Sequence, residues 1–159
     1  MEKSTLTTQN TIQEAKNFLK ENFEKGCICP TCNKIVKKYV RPLNSVMARM
    51  LIRLYHLPEG WNHVSDIAKG ISETGTNDFS KLTNWLMIER QVNEDTSKKT
   101  SGMYKITELG KVFVNMKVSV PKSVHIYNAR KYGESTEMIT IVDALGTKFD
   151  YEKLMNNEY

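Results

Sequence analysis

The chain has 159 residues, 40% of them hydrophobic, enough for one packed core with appendages and too few for two large domains. Lys and Arg outnumber Asp and Glu by 23 to 18, and the resulting net charge of +5 favours an anionic partner. No apolar run approaches the roughly 18–20 residues of a membrane span and the first residues, Met1 to Leu6, lack a signal-peptide core, so a cytoplasmic protein without membrane association is expected.

Residues 1–10 are polar and aperiodic, which predicts a frayed start. From Thr11 the residues Ile12, Ala15, Phe18, Leu19 and Phe23 recur at helical spacing, predicting an amphipathic helix that ends at Gly26. Its apolar stripe must bury against the body of the domain or against the same helix of a second subunit, so a homodimer through this helix is one expectation.

Three cysteines packed into six residues, Cys27, Cys29 and Cys32, cannot staple distant segments as disulfides. Cys29-Pro30-Thr31-Cys32 has the form of a metal knuckle, in which two thiolates converge on one ion and neighbouring amides hydrogen-bond to sulfur. A structural zinc ion needs four ligands, so the set would be Cys27, Cys29, Cys32 and a histidine, His63 or else His56. The alternative is three small thiols in a turn. Each histidine also has an ordinary role: His56 ends a helix where a cation suits the dipole, His63 packs or caps, and His125 alternates outward.

The stretch Ile35 to Val40 reads as a short strand, and Pro42 suits the first turn of a helix running from Leu43 to His56. That helix places Val46, Met47, Met50, Leu51, Leu54 and Tyr55 inward, with Arg49 and Arg53 outside. A turn at Pro58 to Gly60 leads to a short strand at Trp61 to Val64, and Ser65 reads as the N-cap of a helix over 66–71. After a turn at Thr74 to Asn77, a third helix is predicted from Asp78 to Glu89, with Phe79, Leu82, Trp85 and Leu86 inward and Ser80, Lys81, Thr83, Asn84 and Met87 outward. Strands follow near 91–94 and 102–106, joined by a polar loop carrying Lys98 and Lys99. Thr107 is a good N-cap for a helix whose apolar face is Leu109, Val112 and Phe113, and Gly110 lets the preceding strand pack closely. Beyond it, 118–127 reads as extended, 138–142 is strand-like and able to open a helix through Leu145, and 151–155 reads as a short helix.

The expected fold is α+β: a winged helix-turn-helix core over 42–118, an N-terminal helix and Cys-knuckle segment over 1–41, and a small β-containing C-terminal extension over 119–159. The segment Gly102 to Phe113 resembles the last strand and following helix of MarR-like and PadR-like winged-helix regulators, a resemblance that spans about residues 43–116. Cys29-Pro30-Thr31-Cys32, Tyr39-Val40-Arg41-Pro42-Leu43-Asn44, Trp61-Asn62-His63-Val64 and Asp143-Ala144-Leu145-Gly146 lie within a longer resemblance, over 26–155, to a family of small phage and prophage proteins. Together these resemblances imply a phage or mobile-element origin, a winged-helix fold and no enzymatic activity.

Charge placement gives the fold a function to test. From Asn33 to Pro58 there is no acidic residue, whereas from Glu134 onward acidic residues prevail. A third helix in the major groove would offer Ser80, Lys81, Thr83 and Asn84 to base edges, while Lys98, Lys99, Lys37, Lys38, Arg41, Arg49 and Arg53 neutralise phosphates. Double-stranded DNA is then the expected partner, and transcriptional regulation the expected role. Asp78 and Glu89 against Lys81 alone make a meagre cationic face, however. The alternative is a protein-interaction module that inhibits or redirects a host factor such as a defence complex. No nucleophile and base at telling spacing, phosphate-binding glycine loop or carboxylate pair stands out, so catalysis is not expected.

Overall fold

The computed structural model describes residues 9–72 and 75–159. Most of the expected frayed start, and Thr74 of the expected turn, lie outside the described residues. In chain order the elements are α1 (Ile12–Asn22), β1 (Cys27–Ile28), β2 (Ile35–Val36), β3 (Tyr39–Pro42), α2 (Ser45–His56), β4 (Asn62–His63), α3 (Val64–Ala68), α4 (Thr76–Phe79), a 3-10 helix (Ser80–Trp85), β5 (Ile88–Arg90), β6 (Met103–Ile106), α5 (Glu108–Val114), β7 (Val120–Pro121), β8 (Ser123–Tyr127), β9 (Arg130–Glu134), β10 (Met138–Ile139), α6 (Ile141–Leu145) and α7 (Tyr151–Met155). The architecture is mixed α+β, with four small sheets among the described residues. Two compact units form: Met1–Arg41 with His125–Gly133, and Pro42–Val124 with Glu134–Tyr159. Residues 119–159 are therefore shared between the two.

In the first unit, α1 opens with a capping box: the Thr11 hydroxyl accepts from the Glu14 amide, and the Thr11 amide donates to the Glu14 carboxylate at 2.6 Å. The helix ends before the expected Gly26, at the C-cap Phe23, whose carbonyl accepts from the Lys38 amide at 3.0 Å. Of its apolar stripe only Ala15 is fully buried, and Ile12 is 73% exposed. Phe23 lies 4.6 Å from the Tyr127 ring and 5.6 Å from the Tyr132 ring, while the Tyr132 hydroxyl donates to Glu24 at 2.7 Å. Both tyrosines belong to the hairpin of β8 and β9, whose loop residues Asn128 and Ala129 have φ of 48° and 59°. Two consecutive left-handed residues give the twist that a two-residue hairpin needs. Strands β3, β8 and β9 form one sheet in that order, and β1 pairs antiparallel with β2.

The second unit is built around α2. Pro42 does not start this helix, contrary to the sequence expectation: it ends β3, and the next residue, Leu43, still donates to the Lys122 carbonyl at 2.9 Å. Asn44 is the N-cap, accepting from the Met47 amide. Met47, Ala48, Met50, Leu51, Ile52 and Leu54 are all buried because α3, α4, α5, α6 and α7 pack around the helix. Each of these Met, Leu and Ile side chains contributes roughly 1.5–3 kcal/mol by leaving water, the small Ala48 less.

A three-stranded antiparallel sheet in the order β4-β6-β5 completes this core, with His63 opposite Met103, Arg90 opposite Tyr104 and Ile88 opposite Ile106. The helix after β4 starts at Val64 rather than beyond Ser65, since His63 is its N-cap and accepts from the Ser65 amide through Nδ1. Thr107 caps α5 as expected, with Gly110 donating to its hydroxyl. Further on, β7 pairs with β10, Thr140 and Asp143 form a capping box that turns the strand-like run into α6, and α7 spans the predicted 151–155. Among the described residues no helix is long and apolar enough to cross a membrane.

Candidate nucleic-acid interface

The predicted third helix is broken into α4 and a 3-10 helix, and that break decides what its polar side chains do. With three residues per turn, residues three apart eclipse. Leu82 and Trp85 share the buried edge, Ser80 and Thr83 a second, Lys81 and Asn84 a third. The Ser80 hydroxyl donates to the Asn77 carbonyl at 3.0 Å, Thr83 to Ser80 at 2.8 Å and Asn84 Nδ2 to Lys81 at 3.0 Å. Every short polar side chain proposed to read bases therefore bonds back to its own helix. Lys81 is held by the Asp78 carboxylate three residues earlier.

The end of this helix also departs from the sequence reading. Leu86, expected inside, is 70% exposed at φ 60°, and Met87, expected outside, is completely buried. The left-handed turn at Leu86 reverses the chain, so the two side chains exchange sides and β5 begins earlier, at Ile88.

The loop between β5 and β6 is ordered by its own side chains. Asp95 accepts from the amide and hydroxyl of Ser97, which holds the Asp95 carboxyl below its usual range, and Asn93 Nδ2 donates to the Lys98 carbonyl at 2.6 Å. Lys98 is 3.8 Å from Asp95, but its side chain remains 72% exposed, and Lys99 is exposed beside it. These two lysines are presented to solvent as the sequence suggested.

Arg49 and Arg53 are not open on the surface. The Arg49 guanidinium lies 4.2 Å from the Phe149 ring centroid and that of Arg53 lies 3.9 Å from the Tyr159 ring. Their Nε atoms are buried without hydrogen-bond partners, as is His56 Nε2 on the same face of α2. Burial pushes the pKa of Arg49 and of His56 down.

The cationic surface lies elsewhere. The first unit holds ten Lys and Arg against four Asp and Glu, a net charge of +6, whereas the second holds thirteen against fourteen, a net charge of −1. Lys37 and Arg41 flank the 40%-exposed Tyr39, at 5.0 and 5.3 Å from its ring centroid. Lys38 is partly screened by Glu24, 3.8 Å away. Tyr39 joins the expected cations Lys37, Lys38 and Arg41 on this surface. The alternation Lys37-x-Tyr39-x-Arg41, which puts all three on one side of an extended chain, is the signal in the sequence.

The cysteines belong to the same unit, and Cys32 lines a cleft together with Lys37 and Tyr39. Cys27 is buried in β1, where burial raises its pKa, and Cys29 is buried at the strand's end. The Cys29 thiol is lowered to about 7 by the Thr31 hydroxyl at 3.0 Å, against burial, with help from the Thr31 and Cys32 amides and the Cys32 thiol. Cys32 is exposed. His63 is engaged with the Ser65 hydroxyl at 2.7 Å, and among the described residues no three His, Cys, Asp or Glu side chains are grouped to hold a metal ion.

Comparison of the chain with protein-family models, curated proteins and solved structures finds no match in any of the three.

Proposed function

We propose that this is a winged helix-turn-helix DNA-binding protein, a transcriptional regulator that acts by occupying duplex DNA and not by catalysis. The reading rests on one observation: α2, β4, α3 and α4 are followed by the β5–β6 hairpin, which carries the exposed Lys98 and Lys99 and joins β4 in one antiparallel sheet of order β4-β6-β5. The net charge of +6 on the first unit supports an anionic partner. In this account Lys98, Lys99, Lys37 and Arg41 hold phosphates. Ser80, Thr83 and Asn84 add little base discrimination until they release their own carbonyls. Binding is accordingly dominated by phosphate contacts.

A second reading, a module that binds a host protein, is favoured by the exposed Leu86 next to that self-satisfied helix. Selection of duplexes from a random pool by the intact protein, followed by anisotropy titration of the recovered sequences, separates the two. Recovered duplexes that bind and are released by salt support the regulator. An absence of binding to any duplex at low salt overturns it.

A further inference from the structure

Cys29 and Cys32 flank Pro30-Thr31 at the tip of a short hairpin, a spacing that can supply two ligands to one metal ion. Strands β1 and β2 form a short antiparallel hairpin with Cys27 opposite Val36, and its tip is closed by the Cys29 amide donating to Lys34 at 2.8 Å and the Asn33 amide donating to Cys29 at 2.9 Å. Asn33 takes φ 58° in the turn at this tip, and the Thr31 hydroxyl lies 3.0 Å from the Cys29 sulfur. A polar partner on sulfur helps a thiolate ligand to hold its charge and orientation.

Two thiolates do not make a structural site for a soft divalent ion, which takes four ligands in a tetrahedron. Among the described residues no third His, Cys, Asp or Glu side chain joins the pair in a metal-holding group. Cys32 is nevertheless exposed, and a cleft of about 390 Å³ opens beside it, lined in part by Ile35, Val36, Tyr39 and Tyr127. Ile35 is more than half exposed there, as unpartnered apolar surface around a half-set of ligands.

We infer that Cys29 and Cys32 of two copies of this chain bind one zinc ion between them, closing a tetrathiolate site that a single chain cannot complete. The second copy covers the apolar surface around the knuckle. A zinc ion with four thiolates carries a net double negative charge, which Lys34 and Lys37 at the same cleft offset in both copies.

The inference does not depend on the proposed function, and zinc itself is the probe. Intact protein reconstituted with zinc under reducing conditions is measured for bound metal and for mass by light scattering. One zinc per two chains, a dimer that chelator converts to monomer, and loss of both in Cys29→Ser and in Cys32→Ser are expected. The variant Cys27→Ala retains both, and cobalt substitution gives the spectrum of four-sulfur coordination. One zinc per monomer, no retained zinc, or a dimer that survives metal removal would overturn the inference.

Discussion

The α-carbon of Gly110 lies against the carbonyl oxygen of Met87, so closely that no side chain fits between them. A Cβ built on Gly110 would overlap that oxygen and stand 2.7 Å from Ile106 Cγ1. The same carbonyl accepts from the Thr107 amide at 3.0 Å, which joins β5 to the start of α5. Gly110→Ala gains roughly 1 kcal/mol of helix propensity yet must push strand and helix apart, so a net loss of about 1–3 kcal/mol is expected. Urea unfolding checks this, and a variant as stable as the parent would show that the two segments yield freely.

His56 makes stability depend on pH. Burial against the C-terminal helix, opposed by the Leu154 backbone and reinforced by Arg53, lowers its pKa from the ordinary 6.5. The unfolded chain then binds a proton that the folded chain refuses, so stability rises with pH. The contribution is complete above pH 6.5 and is lost as pH falls toward the depressed folded value. Thermal melts in acidic and neutral buffers should separate for the parent and converge for His56→Leu. Identical separation in both would assign the acid sensitivity to other groups.

Trp85 anchors the 3-10 helix to the chain beyond α5 through Nε1, which donates to the Pro121 carbonyl at 2.7 Å. Trp85→Phe keeps most of the buried ring and orphans that carbonyl, at a cost of about 1–3 kcal/mol. The loss should appear as a lower urea midpoint with unchanged slope.

Asp78 withholds Lys81 from any phosphate. Asp78→Asn removes the charge that holds the ammonium group, and severalfold tighter binding to duplex DNA is expected at low salt. Unchanged affinity would place Lys81 outside the interface.

Much of the fold is legible in local chemistry. The cap at Thr107, the close approach at Gly110 and the terminal helix over 151–155 follow from short-range signals, and the structure reproduces them. Where the sequence misleads, a tertiary contact has overridden a local preference. Pro42 suits a helix start, but the hydrogen bond from Leu43 to Lys122 keeps the chain extended past it. The run from Asp78 to Glu89 has helical spacing, yet a left-handed Leu86 ends it and exchanges the places of Leu86 and Met87. Strand β9 has no apolar alternation and no glycine in its turn, since Asn128 and Ala129 adopt positive φ themselves. The cations were readable as residues, but not the covering of Arg49 and Arg53 by Phe149 and Tyr159, about a hundred residues further along the chain.

The most direct test of the DNA-binding account is the salt dependence of affinity for one duplex, measured by anisotropy for the parent, Lys98→Ala/Lys99→Ala, Lys37→Ala/Arg41→Ala and Lys81→Ala. Each phosphate contact contributes a slope of about −0.9 in log K against log salt. The parent should show a steep slope that flattens by roughly two units in each double variant and stays unchanged in Lys81→Ala. A slope near zero in the parent, or one that neither double variant alters, would contradict phosphate-dominated binding to duplex DNA.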